Sequence, residues 1–317
     1  MLKNENKDNR YYSTMQKLLI SASLLCMIGC SVKRAVPKKE NGIYTIRVAE
    51  TELEIDPETG GKMTSLKMDG KNFLTGREVH PKYWGSSLWP SPQKEWGGSL
   101  APELDDLPYS VRVENDVIRM ASRKDSKFGY VFSKEISGDI KNNSFNIKYT
   151  IANHSNEVRH VAPWEVTRVH TNGFTFYPKG TGQRRGNLAG SAEDKDGITW
   201  FVYDEVKIPA THNKFFADGS EGWIAQVNGN VIFIKKFKDI PGDKAAPGES
   251  EIEIYADPKK SYVEIEQQGS YEKLNPGDSL VWEVKWFLRK IPATINHDVG
   301  SKALVSYVRK LVLAKTQ

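Results

Sequence analysis

From residue 44 onward, apolar and polar residues alternate with a period of two, and short turn-forming clusters punctuate the alternation. That is the period of a half-buried strand, in which neighbouring side chains point to opposite faces. At 227–230, VNGN joins WIAQV to VIFIKKF, and Asn-Gly between two apolar runs predicts a type I′ hairpin turn with positive φ at both central positions. Glu114-Asn115-Asp116 separates SVRV from VIRMAS, and Lys141-Asn142-Asn143 separates VFSKEIS from SFNIKYTIAN. These read as consecutive antiparallel hairpins. Further strands are expected at 53–55, 64–68, 159–169, 198–203, 250–256, 262–268 and 279–288. About a dozen or more antiparallel strands must close into a barrel or stack as a sandwich, since one open sheet leaves an apolar face wet. One helix is expected, at the C-terminus, where Leu304, Val308, Leu311 and Lys315 recur at helical spacing after the capping-type residues Asn296 and Asp298. It is expected to cover an edge or outer face of a sheet. With no repeat of fixed period and no second composition zone, residues 43–317 read as one all-β domain.

The first 42 residues follow different rules. Lys17 precedes LLISASLLCMIGC, and its apolar run from Leu18 to Ile28 is too short for a permanent span, which needs about 20 residues. The order of charge, apolar run and small residue is that of an export signal. Gly29-Cys30 looks like the end of a bacterial lipobox, which makes Cys30 the lipidated residue and 1–30 the signal. Met15 is the expected initiator. Residues 31–42, SVKRAVPKKENG, are basic and aperiodic, as suits a tether to a membrane lipid. The two cysteines are Cys26 and Cys30, so the processed body has neither a disulfide nor a free thiol. The expected location is the bacterial cell envelope, periplasmic or surface-exposed. The net charge of +5 combines 45 basic with 40 acidic residues. Part of the excess lies in the leader and tether, and no arginine-rich run or basic helical face argues for nucleic acid. A monomer is expected, with no cofactor.

One stretch departs from the alternation. WGSSLWPSPQKEWGG, residues 84–98, holds Trp84, Trp89 and Trp96 among prolines, glycines and serines that work against a regular helix or a long strand. Trp89 and at least one of the others are expected at the rim of a ligand cleft, with partly exposed rings. The alternative is that all three plug one end of the sandwich.

Three segments carry a family resemblance. LEIDPETGGKMTSLKMDGKNFL (53–74) resembles the opening of the galactose mutarotase-like superfamily, which includes the aldose 1-epimerases. VEIEQQGSYEKLNPGDSLVWEVKWFL (263–288) is similar to its closing hairpin, and VAPWEVTRV (161–169) to its central strand. WPSPQ and PWEVTR resemble bacterial lipoprotein members of the superfamily more than true mutarotases. The resemblance implies a large antiparallel β-sandwich, a supersandwich, with a carbohydrate cleft on one face.

In the resembled epimerases a glutamate in a Glu-x-Gln setting is the base, which Glu266-Gln267-Gln268 reproduces here. Alternation puts Glu264, Glu266 and Gln268 on one face of their strand, although a solvent-facing row on an edge strand would alternate in the same way. The family's central strand offers a histidine, whereas this one reads Pro163-Trp164-Glu165-Val166-Thr167-Arg168-Val169-His170. Glu165 and Thr167 share one face, and Trp164, Arg168 and His170 the other; the sequence leaves open which lines the cleft. Glu266, with Glu165 or His170, is therefore the expected proton-transfer set. Trp164, Arg168 and Glu264, with Trp84, Trp89 and Trp96, are the expected sugar contacts, an aromatic plate beside a forked donor. A core tryptophan beside a salt-bridged arginine has the same spacing. No metal site is expected, because the histidines are dispersed and Glu103-x-Asp105-Asp106 lacks the spacing of a calcium loop. The functional expectation is an exported, lipid-anchored carbohydrate-binding protein with a mutarotase-like cleft and an aldose-epimerase option. Two alternatives stand beside it: a non-catalytic glycan-binding lipoprotein of a polysaccharide-utilisation system, and a structural envelope protein without ligand.

Overall fold

The computed structural model describes residues 34–211 and 213–313. The expected export signal, Cys30 and Lys315 lie outside the described residues. In chain order the strands begin β1 (Lys38–Glu40), β2 (Ile43–Val48), β3 (Thr51–Asp56), β4 (Lys62–Met68), β5 (Lys71–Asn72) and β6 (Ser86–Ser91). A one-turn helix α1 (Pro102–Asp105) precedes β7 (Ser110–Glu114), β8 (Val117–Ala121), β9 (Tyr130–Asp139), β10 (Ser144–Asn153) and β11 (Arg159–Val169). Next come β12 (Phe174–Pro178), β13 (Ala192–Lys195), β14 (Ile198–Val202), β15 (Lys214–Ala217), β16 (Trp223–Asn228) and β17 (Val231–Lys236). The chain closes with β18 (Ile252–Ala256), β19 (Val263–Gln268), β20 (Glu272–Leu274), β21 (Ser279–Lys290) and helix α2 (Lys302–Leu313).

Two antiparallel sheets result. The first, of eleven strands, runs β1-β2-β3-β4-β6-β11-β19-β18-β15, with β5 beside β4 and β20 beside β11. The second, of ten, runs β13-β14-β12-β16-β17-β21-β10-β9-β8-β7. Leu53, Ile55, Leu66, Leu88, Ile254 and Ile265 of the first sheet and Phe132, Ile147, Tyr149 and Trp286 of the second belong to one fully buried apolar cluster. The all-β sandwich expected from the alternation is the observed fold.

Helix α2 covers the outer face of the second sheet, setting Leu304, Val305 and Val308 against a separate cluster that includes Phe176, Trp200, Trp223 and Phe287. Its cap is Ser301, whose hydroxyl accepts from the Leu304 N–H at 3.2 Å, not Asn296 or Asp298. At 227–230 only Gly229 has positive φ, so that hairpin lacks the type I′ turn expected of it; Asn115 and Asp116, both at positive φ, form one instead.

Two segments depart further from expectation. Residues 38–40, read as tether, form edge strand β1, because Asn41-Gly42 turns the chain, both at positive φ, and pairs Lys38–Glu40 with Ile43–Thr45. The tryptophan stretch contains a six-residue strand, β6, in the middle of the first sheet, where Ser87 faces Val166 and Trp89 faces Trp164 on β11. Pro90 of β6 and Pro163, which faces it on β11, survive there because neither sits where a further neighbour requires an N–H. Pro163 falls in the break between β19 and β20, and β4 pairs with β6 at Met63–Ser86 rather than as far along as Pro90.

Candidate functional site

Strand alternation and register together decide which side chains meet on the outer face of the first sheet. Across β6, β11, β19 and β18, Ser87 and Trp89 face Val166 and Trp164. Val166 and Arg168 face Glu266 and Glu264, which in turn face Glu253 and Tyr255. Lys214 on β15 faces Tyr255. Against this face lies a cleft of about 790 Å³, walled by Trp89, Trp96, Trp164, Phe216, Tyr255 and Tyr262 and lined also by Asp105, Lys214, Glu249 and Glu264.

Two cations and three carboxylates form its floor. Arg168 Nε donates to Glu264 Oε1 at 2.8 Å, and Nη1 to Ser87 Oγ at 3.2 Å. Lys214 Nζ lies 2.8 Å from both oxygens of Glu266 and 2.9 Å from Glu253 Oε2. The Trp164 indole N–H donates to Glu266 Oε2 at 2.7 Å. Burial pushes the Glu264 carboxyl up to about 7 against the pull of Arg168. It pushes Glu253 up to about 8 against Lys214. Burial works against the Lys214 charge, but Glu253, Glu266 and Glu264 outweigh it and its pKa rises. The floor thus carries one carboxylate more than its cations, and burial works against the charge of Glu264 and Glu253.

The expected site residues divide between the two faces. Trp89, Trp96, Trp164 and Glu264 line the cleft. Arg168 and Glu266 lie beneath it, fully buried, with the Arg168 guanidinium 4.6 Å from the centre of the Trp89 ring. Trp89 and Trp96 are cleft walls rather than partly exposed rim rings, since each is packed edge to face on a neighbouring indole: Trp89 lies 5.3 Å from Trp96 and 5.5 Å from Trp164. Trp84 is not a lining residue; it packs under Lys62 and Arg77.

Glu165 points the opposite way, into the space between the sheets, because it is one residue out of phase with Trp164. There it accepts from Tyr149 Oη, from Gln267 Nε2 at 2.7 Å and from Trp286 Nε1 at 3.1 Å, and pairs with Lys235 at 3.1 Å. Glu165 therefore does not share the cleft with Glu264. His170 follows the end of β11 and is not among the lining residues. Among the described residues no histidine lines the cleft, and no group of three or more His, Cys, Asp or Glu side chains is placed to hold a metal ion.

Sequence reasoning missed Lys214, Glu253, Tyr255, Tyr262 and Asp105. Glu253-Ile254-Tyr255 did carry a signal, the same polar alternation that marked Glu264 and Glu266. His80 was missed too. Its ring lies between the Tyr83 and Tyr262 rings, and its Nδ1 accepts from the Tyr83 N–H at 2.9 Å, fixing the rim.

A family model described as "Domain of unknown function (DUF4380)" matches residues 116–289. That stretch carries every charge of the floor, whereas Trp89, Trp96 and Asp105 precede it. No protein of curated function matches the sequence. Among solved structures, the chain is similar to a galactose mutarotase-like protein from Clostridium acetobutylicum, with 13% identity, 81% of this chain and 99% of that one covered, and a TM-score of 0.52. It is also similar to a galactose mutarotase related enzyme from Lactobacillus acidophilus, with 11% identity, 80% and 100% covered, and a TM-score of 0.54. A TPR-domain containing protein from Parabacteroides distasonis gives 16% identity over 81% of this chain and a TM-score of 0.57. The chain spans 50% of the length of that last protein. The sandwich is thus of the galactose mutarotase-like type.

Proposed function

Because the chain belongs to the DUF4380 family, its activity has to be read from its own site, and we propose that the cleft binds a carbohydrate. The observation that carries this reading is the cleft wall: three mutually packed indoles and two tyrosines over a floor of paired charges. Aromatic faces suit the C–H faces of a sugar ring, and the carboxylates and phenols suit its hydroxyls. The fold of the mutarotase-like proteins agrees with that use. A panel of free sugars and oligosaccharides screened by thermal unfolding tests it. A ligand at about 100 times its Kd adds roughly 2.7 kcal/mol, a rise of about 5 °C or more for a domain of this size. If no sugar shifts the midpoint, the reading fails.

An epimerase is favoured by the position of Glu264, a carboxyl that lines the cleft with Oε1 on Arg168 Nε at 2.8 Å and that burial pushes up to about 7, the range in which a proton-transfer group works near neutral pH. Glu266, with both oxygens on Lys214 and one on the Trp164 indole, is the less available base. The tyrosines nearby hold their protons firmly, Tyr255 being pushed up to about 12 by burial; they serve as hydrogen-bond donors.

The protein is placed at the cell envelope, held by a lipid on Cys30, on the strength of Lys17, the apolar run and Gly29-Cys30. Cys30→Ala is expected to leave the precursor unprocessed and to abolish incorporation of labelled fatty acid. Equal labelling of both forms excludes the anchor.

A further inference from the structure

Chain segments cross the cleft floor at both of its ends. At the end where β6 stops and β18 starts, the Gln93 N–H donates to Glu249 Oε1 at 3.0 Å. Gln93 opens the turn Gln93–Trp96 that follows β6, and Glu249 precedes β18, whereas β11 and β19 lie between those two strands. The two segments therefore meet over the floor, having crossed between them three strand spacings, about 14 Å. The Glu249 side is held in place by Arg185, whose Nη2 donates to the Gly248 and Glu249 carbonyls at 2.7 and 2.8 Å while its guanidinium lies 3.8 Å from the centre of the Phe216 ring. Tyr271, which follows β19, fills in beneath: its N–H donates to Lys244 O at 2.8 Å and its hydroxyl to Glu95 Oε1 at 3.5 Å. The opposite end is crossed by rings. His80 lies 5.0 Å from Tyr83 and 5.5 Å from Tyr262, and Tyr262 lies 6.2 Å from Tyr255. Since Tyr83 precedes β6, Tyr262 precedes β19 and Tyr255 sits on β18, this row also runs from one side of the floor to the other.

Resting on the carbohydrate reading of the cleft, we propose that it takes the end unit of a glycan chain and that Glu249 is the specificity-determining stop that turns away internal segments. An end unit needs one opening, whereas an internal segment must enter and leave. Helix α1, through Pro102 and Asp105, lines the cleft on the β6 side and Phe216 lines it on the β15 side. With both strand ends crossed as well, a polymer has no way through. Rejecting a competitor takes an obstacle as well as a contact, and the Glu249 carboxylate, itself a lining group, is the side chain that completes the obstacle. Once it is removed, the side-chain link left between the two segments and Tyr271 is the phenol on Glu95, at the outer limit of a hydrogen bond.

Calorimetric titration of the whole protein tests this. The probes are glucose, galactose and mannose, the linear hexasaccharide of each, and the same hexasaccharides blocked at both ends, by a ketal on the non-reducing unit and an aryl group on the reducing one. For the sugar that binds, the wild type is expected to take the open hexasaccharide at least tenfold more tightly than the blocked one. Glu249→Ala is expected to bring the blocked form to within about threefold of the open form and to leave the affinity for the free sugar unchanged. Glu249→Gln, whose amide oxygen still accepts from the Gln93 N–H, is expected to keep the wild-type preference. A blocked hexasaccharide bound by the wild type as tightly as the open one overturns the proposal while the cleft reading stands. So does an Ala variant that discriminates as the wild type does, or a hexasaccharide refused in both forms while its monosaccharide binds. If the wild type binds none of the probes, the cleft reading itself falls and takes the stop with it.

Discussion

Lys214→Met is expected to lower stability by about 3–5 kcal/mol at pH 8, the cost of breaking a buried ion pair, and by much less at pH 5. Its ammonium is the partner of both Glu253 and Glu266, neither of which has any solvent exposure. Without it, two buried carboxylates remain beside each other. They can escape by taking up protons, which costs little in acid and progressively more as pH rises. The wild type already shows the direction. Glu253 is pushed up to about 8 by burial, so between the unfolded carboxyl value and that point the folded chain holds the extra proton. Its contribution to stability is therefore full below the unfolded pKa and is lost as pH rises through about 8. Removing Lys214 extends the window upward, so the loss grows with pH. Urea unfolding at pH 5 and pH 8 measures it. An equal loss at both values would mean that Lys214 acts through its packing on Trp164, at 4.8 Å, and not through its charge.

Glu165→Gln is expected to behave in the opposite sense. The amide keeps the shape but leaves Lys235, which has no exposure, without a counter-charge. The cost is about 3 kcal/mol near neutral pH, at the low end for a broken buried pair. Burial already pushes Lys235 down to about 8 against the pull of Glu165, so in the variant the lysine sheds its proton readily. The loss shrinks as pH rises past 8 and deepens in acid, where the lysine must stay charged. Sugar affinity per folded molecule should not change, because Glu165 faces the second sheet. Calorimetric titration beside urea unfolding checks both halves. A fall in affinity at intact stability would place Glu165 in the cleft after all.

The contrast between these residues shows what the sequence could and could not disclose. The strand Arg159–Val169 was legible to its ends although VAPW breaks its alternation, and so was the shared face of Glu264 and Glu266. Periodicity separates faces without saying which one is the interior. Glu165 and Arg168 look equivalent in sequence, each a charge on an apolar strand, and only the register with β6 and β19 assigns one to the core and the other to the cleft floor. Strand β6 was hidden because prolines normally exclude a central strand, and its tolerance depends on gaps in neighbours far away in sequence. Lys214 was hidden because KFFA is a four-residue strand whose importance comes entirely from lying beside β18. The opening tryptophans were legible as unusual, but not as wall and support, since Trp84 differs from Trp89 only in what the fold stacks against it.

The central claim, that the cleft over β6, β11, β19, β18 and β15 is where a carbohydrate binds, is tested most directly by the indole N–H resonances of the eight tryptophans. They are to be followed by NMR while the sugar with the largest thermal stabilisation is added. The expected result is saturable shifts of Trp89, Trp96 and Trp164, with Trp200 and Trp223, buried under α2, and Trp286, buried between the sheets, unmoved. Shifts confined to Trp200 and Trp223, or spectra that no sugar alters, would contradict it.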